Sequence, residues 1–381
     1  MNMVEYSEYR LGLLCKRFSS GKGISADLIN ETGKYPVIGG NGLRGYTDTY
    51  NFDGECAVIG RQGAYCGNVQ FFSGKGYMTE HAVVTQPNSA NNAKYLTYKL
   101  SGLSLGRFSG QAAQPGLSVT KLARLRIEMP PKWYQDRVAG ILSAYDNLIE
   151  VNNKRIKVLE QIAENLHKEW FVRFRFPGHE TAEFENGIPK GWNVCRFSSI
   201  ANVLSGGTPS TDHDEYYGGN IPFYTPKDSS DDYFVFDTIS KLTEEGLQHC
   251  NSQLYPKNTI MITARGTVGN LNLLAKPMAM NQSCYALTSN TIPSQYFLFF
   301  LIKREILKLR KMASGGVFDT IIVSTFDHIK VTIPDKSLIM SFDMLVSPIL
   351  DETYTLLKQN RNLIRQRDLL LPRLMSGKLE V

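Results

Sequence analysis

The chain has 381 residues, 42% of them hydrophobic, which is room for two or three domains with real cores and excludes a disordered polymer. Its 42 Lys and Arg against 36 Asp and Glu leave a formal charge of +6, a mild form of the basic balance that polyanion binders show. Six widely spaced cysteines without a Cys-x-x-Cys pair exclude a disulfide framework or zinc ribbon, and no leader-like start or long apolar run appears, so a soluble protein of the reducing cytoplasm is expected.

In chain order, the first stretch reads as mixed and β-rich, with strand-like runs at Tyr35 to Ile38, Cys56 to Ile59 and Val69 to Phe72 between Gly, Asn, Asp and Ser clusters, then a helix at Lys94 to Leu105. A long helix follows over residues 132 to about 175. A second β-rich stretch, residues 177 to 335, carries a strand at Thr259 to Ile262 and a helix at Gln295 to Lys311, and a second long helix runs from 336 to about 378. The expected organisation is therefore a first lobe at 1–131, a central helix at 132–176, a second lobe at 177–335 and a C-terminal helix at 336–381. Residues 1–131 hold 14 basic and 9 acidic side chains, whereas 177–335 hold 13 and 16, so any polyanion contact by the second lobe must be local.

The two halves repeat at an offset of roughly 202 to 205 residues. Gly67-Asn68 answers to Gly269-Asn270, Met78-Thr79-Glu80 to Met280-Asn281-Gln282, and Ser109-Gly110 with Leu122, Leu125, Ile127 and Pro130 to Ser314-Gly315 with Phe326, Ile329, Val331 and Pro334. In the first long helix Val138, Leu142, Tyr145, Ile149, Asn152, Ile156, Leu159, Ala163, Leu166 and Trp170 step by four and three without a break. The second gives Phe342, Val346, Ile349, Thr353, Leu356, Asn360, Leu363, Arg367, Leu370 and Leu374, with Pro348 tolerable near a first turn or at a kink. Each helix is about 60 Å long and cannot leave such a stripe in water. The expected fold class is α+β: two β-rich mixed lobes separated by an antiparallel coiled coil, with an internal pseudo-twofold repeat. Asn152 and Asn360 interrupt the apolar seams as register devices.

Catalytic signatures are missing from the sequence. Ser20-Gly21-Lys22-Gly23 lacks the upstream glycine and the hydroxyl of a phosphate-cradling loop and reads as a turn. No Gly-x-Gly-x-x-Gly opens a helix, Pro334-Asp335-Lys336 lacks a second spaced acid, and Asp228, Asp231 and Asp232 read as a solvated loop. What both lobes do present is loops rich in hydrogen-bonding forks of the kind that read base edges. The candidates are Asn41, Arg44, Arg61, Gln62 and Tyr65 in the first lobe, and Thr225, Lys227, Arg265, Thr267, Asn281 and Gln282 in the second. Arg107, Lys121, Arg124 and Arg126, with Lys303, Arg304, Lys308, Arg310 and Lys311, are the candidates for phosphate contacts. The alternative reading of the same features is a non-catalytic coiled-coil adaptor that binds proteins.

The arrangement resembles the specificity subunit of type I restriction-modification systems over essentially the whole chain. The strongest carriers are Leu166-His167-Lys168-Glu169-Trp170-Phe171-Val172-Arg173-Phe174 and Leu369-Leu370-Leu371-Pro372-Arg373-Leu374-Met375-Ser376-Gly377-Lys378-Leu379, similar to the ends of that family's two helices. Gly206-Gly207-Thr208-Pro209 with Ile221-Pro222-Phe223 resembles the start of its recognition domain, whereas the first lobe opens at Leu11-Gly12 without that run. The resemblance implies two target-recognition domains, each reading half of a split duplex DNA site, with helices that set the unread gap and dock two methyltransferase subunits. It further implies motor-nuclease partners, no catalytic centre or cofactor in this chain, and S-adenosylmethionine, ATP and magnesium on the partner subunits.

Overall fold

Two compact units divide the chain in the computed structural model: residues 1–150 with 362–381, and residues 151–361. The structure describes residues 4–110, 116–312 and 320–379, the side chains of 310–312 excepted. The helices are α1 (Ala93–Ser101), α2 (Val119–Ala123), α3 (Lys132–Phe171), α4 (Glu244–Gln248), α5 (Gln295–Met312), α6 (Val323–His328) and α7 (Lys336–Met375).

Unit 1 is built on β1 (Ser7–Arg10), β2 (Cys15–Ser20), β3 (Tyr35–Gly39), β4 (Gly42–Thr47), β5 (Phe52–Gly60), β6 (Val69–Met78), β7 (Ala82–Pro87) and β8 (Arg126–Met129). One six-stranded sheet has the order β2-β7-β5-β6-β3-β4, and β1 pairs antiparallel with β8. Strand β6 serves two neighbours, running antiparallel to β5 from Val69 to Gly76 and then parallel to β3 at Tyr77 and Met78. Helix α1 starts where the Asn92 side chain accepts the Tyr95 N–H at 3.0 Å. It ends at Ser101, before the expected Leu105, because Gly102 gives up the helix and the chain re-enters a short 3-10 turn at Leu105–Phe108. Leu11, Ile59, Val83, Tyr95, Leu96, Leu105 and Tyr134 form the core beneath this sheet.

Unit 2 uses β9 (Phe184–Glu185), β10 (Ile188–Pro189), β11 (Asn193–Arg196), β12 (Ala201–Ser205), β13 (Tyr217–Tyr224), β14 (Phe234–Val235), β15 (Ser240–Leu242), β16 (Ile260–Thr263), β17 (Leu271–Leu274), β18 (Ala279–Met280), β19 (Cys284–Ser289) and β20 (Lys330–Ile333). Its sheets run β12-β19-β16-β17-β14 and β15-β13-β18, while β11 pairs with β20 as β1 pairs with β8. The series β12-β19-β16-β17 repeats β2-β7-β5-β6, and the parallel pairing of Tyr224 with Met280 repeats that of Ile38 with Met78. Between β17 and β18 the chain passes through Ala275-Lys276-Pro277-Met278. Pro277 has no N–H to donate, so the counterpart of the continuous β6 is cut in two.

Every predicted seam position is at least half-buried. In unit 1 Leu142 and Leu374 are fully buried, with Tyr145, Ile149, Leu363 and Leu370 partly so. The Tyr134 hydroxyl donates to the Leu374 carbonyl at 3.0 Å, and Arg367 pairs with Asp146 at 2.6 Å. In unit 2 Asn152, Ile156, Trp170, Val346, Leu356 and Asn360 are buried, with Leu159, Leu166 and Ile349 partly so. There Asn152 Nδ2 donates to Asn360 Oδ1 at 2.8 Å and Gln359 Oε1 at 2.9 Å, Asn360 Nδ2 donates to Asn153 Oδ1 at 2.8 Å, and Arg155 pairs with Glu352 at 2.9 Å. Within each unit partner numbers fall along α7 as they rise along α3, so the segments run antiparallel. Pro348 lies well inside α7 with its ring exposed, which spends one helical hydrogen bond without ending the helix.

The end of α3 is sunk into unit 2. His167, Trp170 and Phe171 pack edge and face against Phe297, Phe300, Phe342 and Trp192. Burial holds the His167 imidazole neutral, with its pKa pushed down to about 3.

Candidate nucleic-acid interface

In unit 1 four loops converge on the end of the sheet where β5 stops. Gly21 follows β2 so closely that a Cβ there would lie 2.0 Å from the Met78 carbonyl oxygen, and the Lys22 N–H donates to that carbonyl at 2.9 Å. Thr79 N–H donates to the Ile38 carbonyl at 2.9 Å and Arg61 N–H to that of His81 at 2.9 Å. The hairpin after β5 is closed by Gly60 N–H to Asn68 O and Gly67 N–H to Gly60 O, both at 2.8 Å, with Leu117 N–H donating to Arg61 O at 2.9 Å. Residues 21–23, 39–44, 60–67 and 79–81 therefore share one surface.

Unit 2 repeats this network bond for bond. Gly206 lies where a Cβ would meet the Met280 carbonyl oxygen at 2.4 Å, and Gly207 N–H donates to it at 3.2 Å. Asn281 N–H donates to Tyr224 O at 3.0 Å, and Ala264 N–H to Ser283 O at 2.8 Å. Thr263 N–H donates to Asn270 O at 3.1 Å, Gly269 N–H to Thr263 O at 2.8 Å, and Ile321 N–H to Ala264 O at 3.0 Å. Even the clamp on the methionine has its counterpart: the Met78 N–H donates to Asn51 Oδ1 at 2.7 Å and the Met280 N–H to Ser252 Oγ at 3.0 Å.

These bonds sharpen what the sequence leads one to expect. Ser20-Gly21-Lys22-Gly23, expected as a turn, stands where Ser205-Gly206-Gly207-Thr208 stands in unit 2, which equates the opening loops of the two lobes although the first lacks the Gly-Gly-Thr-Pro run. The network equates Arg61 with Ala264 and Gln62 with Arg265. Asp228 is no solvated loop residue, since its carboxylate accepts from the Thr225 N–H at 2.8 Å, the Thr225 hydroxyl at 2.7 Å and the Ile239 N–H at 2.7 Å.

The candidate base readers gather on these two surfaces but differ in freedom. Asn41, Arg44, Gln62 and Tyr65 are exposed, as are Lys227, Arg265, Thr267 and Gln282. Arg61 is half-buried and its Nε donates to the Leu117 carbonyl at 3.3 Å. Thr225 is committed to Asp228, the Asn281 side chain accepts from the Ser283 N–H at 3.1 Å, Thr267 bonds the Ser229 hydroxyl at 3.1 Å, and Gln282 accepts from the Thr208 hydroxyl. Lys22, His81 and Glu80 belong to the unit 1 surface and were missed. Only the contact of Met78 with the Gly21 loop could have shown them.

Among the phosphate candidates, Arg107 is exposed beside the unit 1 hairpin, where Gly67 touches Gly106. Lys121 and Arg124 are exposed at α2, and Arg126 pairs with Glu8 at 2.5 Å. Lys303 bonds Glu164 at 2.5 Å and the Tyr233 hydroxyl at 2.9 Å, Arg304 pairs with Glu305 at 2.6 Å, and Lys308 with Glu305 at 3.0 Å. Lys303, Arg304 and Lys308 are thus each engaged by a carboxylate of their own unit. The side chains of Arg310 and Lys311, and Ser314-Gly315, lie outside the described residues. Among the described residues no cluster of His, Cys, Asp and Glu suited to a metal ion occurs, and no helix is long and apolar enough to cross a membrane.

The chain matches the family described as type I restriction modification DNA specificity domain twice, over residues 3–161 and 189–359. It is 25% identical over 327 residues to the type I restriction enzyme HindI specificity subunit of Haemophilus influenzae, covering 70% of this chain and 71% of that one. It is 39% identical over 166 residues to the EcoprrI specificity subunit of Escherichia coli, covering 42% of this chain and 41% of that one. In fold it is similar to the crystal structure of a type I restriction-modification S subunit from M. genitalium, with a TM-score of 0.69 at 16% identity over 98% of this chain and 97% of that one. With two matched segments that bracket the two repeated loop networks, the chain belongs to the type I restriction-modification DNA specificity family.

Proposed function

We propose that this chain is the non-catalytic, sequence-reading subunit of a type I restriction-modification complex, each unit reading one half of a bipartite, asymmetric duplex target. The observation that carries this reading is the pair of loop networks: one backbone frame, held twice by equivalent hydrogen bonds, displaying different polar side chains. A repeated rigid frame with variable exposed forks is what reading two unlike half-sites requires. In this reading the exposed Arg107, Lys121 and Arg124 meet phosphates in unit 1, and Lys227 and Arg265 supply local positive charge in the second lobe, whose residues 177–335 are net acidic.

The helices serve as spacer and as docking surface for two methyltransferase subunits, with motor-nuclease subunits joining for cleavage. Support comes from the outer side of α3 in unit 2, where Val151, Val158 and Ile162 are 58%, 55% and 48% exposed at helical spacing while the seam residues are buried. S-adenosylmethionine, ATP and magnesium chemistry then resides on the partners. The test is binding to a bipartite duplex with the methyltransferase partner present. Scrambling either half-site should abolish specific binding, and indifference to one half refutes the two-unit reading. Affinity that does not fall with added salt favours a protein-binding adaptor instead.

A further inference from the structure

We propose that Gln62 and Arg265 are paired specificity-determining residues, each addressing one base pair of the half-site read by its own unit. The inference rests on the DNA-reading function proposed above and adds to it the residues and the bases concerned.

Both residues follow the hairpin's anchoring position. Arg61 and Ala264 each donate an N–H to the loop after β6 or β18, at 2.9 Å to His81 O and 2.8 Å to Ser283 O, and each accepts from the incoming segment at Leu117 and Ile321. Both are followed by a glycine in the left-handed region, Gly63 at φ +81 and Gly266 at φ +79, which turns the chain away directly after the side chain in question. Gln62 and Arg265 are exposed, and among the described residues neither side chain has a hydrogen-bond partner. Their neighbours differ: Arg61 is half-buried and spent on Leu117 O, Ala264 is buried, and Thr267 is tied to Ser229. In each hairpin the residue before the glycine therefore keeps its hydrogen-bonding head group open, and it is the equivalent position of the two frames that does so in both; Tyr65 is exposed as well, further along the unit 1 hairpin.

The two head groups have different complements. A carboxamide offers one acceptor and one donor side by side and matches N6–H and N7 of adenine in the major groove. A guanidinium offers two parallel donors and matches O6 and N7 of guanine. Gln62 then favours A·T at its base pair, and Arg265 favours G·C at the equivalent place in the other half-site.

The experiment is selection from a duplex library randomised in both half-sites, using the chain assembled with its methyltransferase partner. The wild-type complex must first return a bipartite motif; if it does not, the underlying DNA-reading function fails and not this assignment. Given that motif, Gln62→Arg should move one column of one half-site from A·T to G·C by roughly tenfold or more, and Arg265→Gln should make the reverse change in the other half-site. Gln62→Ala and Arg265→Ala should each flatten that same column and leave the rest intact. Unchanged columns in the alanine variants overturn the assignment. So does loss of all specificity in variants whose complexes assemble and melt as the wild type does.

Discussion

Units 1 and 2 share their wiring and differ in how the sheet edge is finished. In unit 1 the bent strand β6 is continuous and holds β3 and β4 in one six-stranded sheet. In unit 2 Pro277 divides its counterpart, β13 and β15 join β18 in a separate sheet, and the extra strand β14 covers the edge of β17. Yet the six backbone hydrogen bonds described above for the loops of unit 1 each have a counterpart in unit 2. The division of the sheet falls away from the loop frame, so the scaffold tolerates rearrangement where nothing is displayed and keeps its geometry where side chains are presented.

The sharpest challenge to this equivalence is at the two glycines. Gly21→Val and Gly206→Val each drive a Cβ into a methionine carbonyl, at 2.0 and 2.4 Å, and each should cost about 3 kcal/mol or more in denaturant unfolding. A large cost in one unit and a negligible one in the other would break the correspondence. Next comes the polar layer of unit 2: Asn360→Ala strips partners from Asn152 and Asn153 and should cost about 1–3 kcal/mol, whereas Asn152→Leu with Asn360→Leu together should recover most of it. Recovery failing in the double variant would mean that the layer stabilises and does not merely set register.

A smaller and pH-dependent effect is expected at Glu160, whose carboxyl burial raises to about 7 and whose Oε1 has no partner. Because the folded state holds this proton more tightly than the unfolded chain, stability is full below pH 4.5 and declines as pH rises through about 7. Glu160→Gln should therefore raise the melting temperature at pH 8 and leave it nearly unchanged at pH 4, an order-of-magnitude gain of about 1 kcal/mol. An equal change at both pH values would sink the titration as its cause. The least effect belongs to Arg126→Ala, since the Arg126–Glu8 pair is well exposed and worth at most about 0.5 kcal/mol.

Helix seams were legible in the sequence because stepping by four and three is a local property of one helix, and every residue from Leu142 to Trp170 and Val346 to Leu374 assigned to a seam is withdrawn from solvent. The repeat was legible wherever its offset held. It failed for Gly21, since the stretch from Gly206 to Ser252 is longer than that from Gly21 to Asn51 and no fixed offset spans it. It also failed inside the hairpins, because Gly60 to Asn68 is one residue longer than Thr263 to Asn270. Charge pairing was the least legible property. Lys303 finds Glu164 across 139 positions of sequence, and nothing local to α5 announces it.

The common frame at Gln62 and Arg265 also bears on how such a reader changes over generations. Every glutamine codon becomes an arginine codon by one nucleotide substitution. If Gln62 and Arg265 read bases as proposed, a scaffold that presents either residue from an unaltered backbone lets a lineage acquire a new target without exchanging a whole lobe.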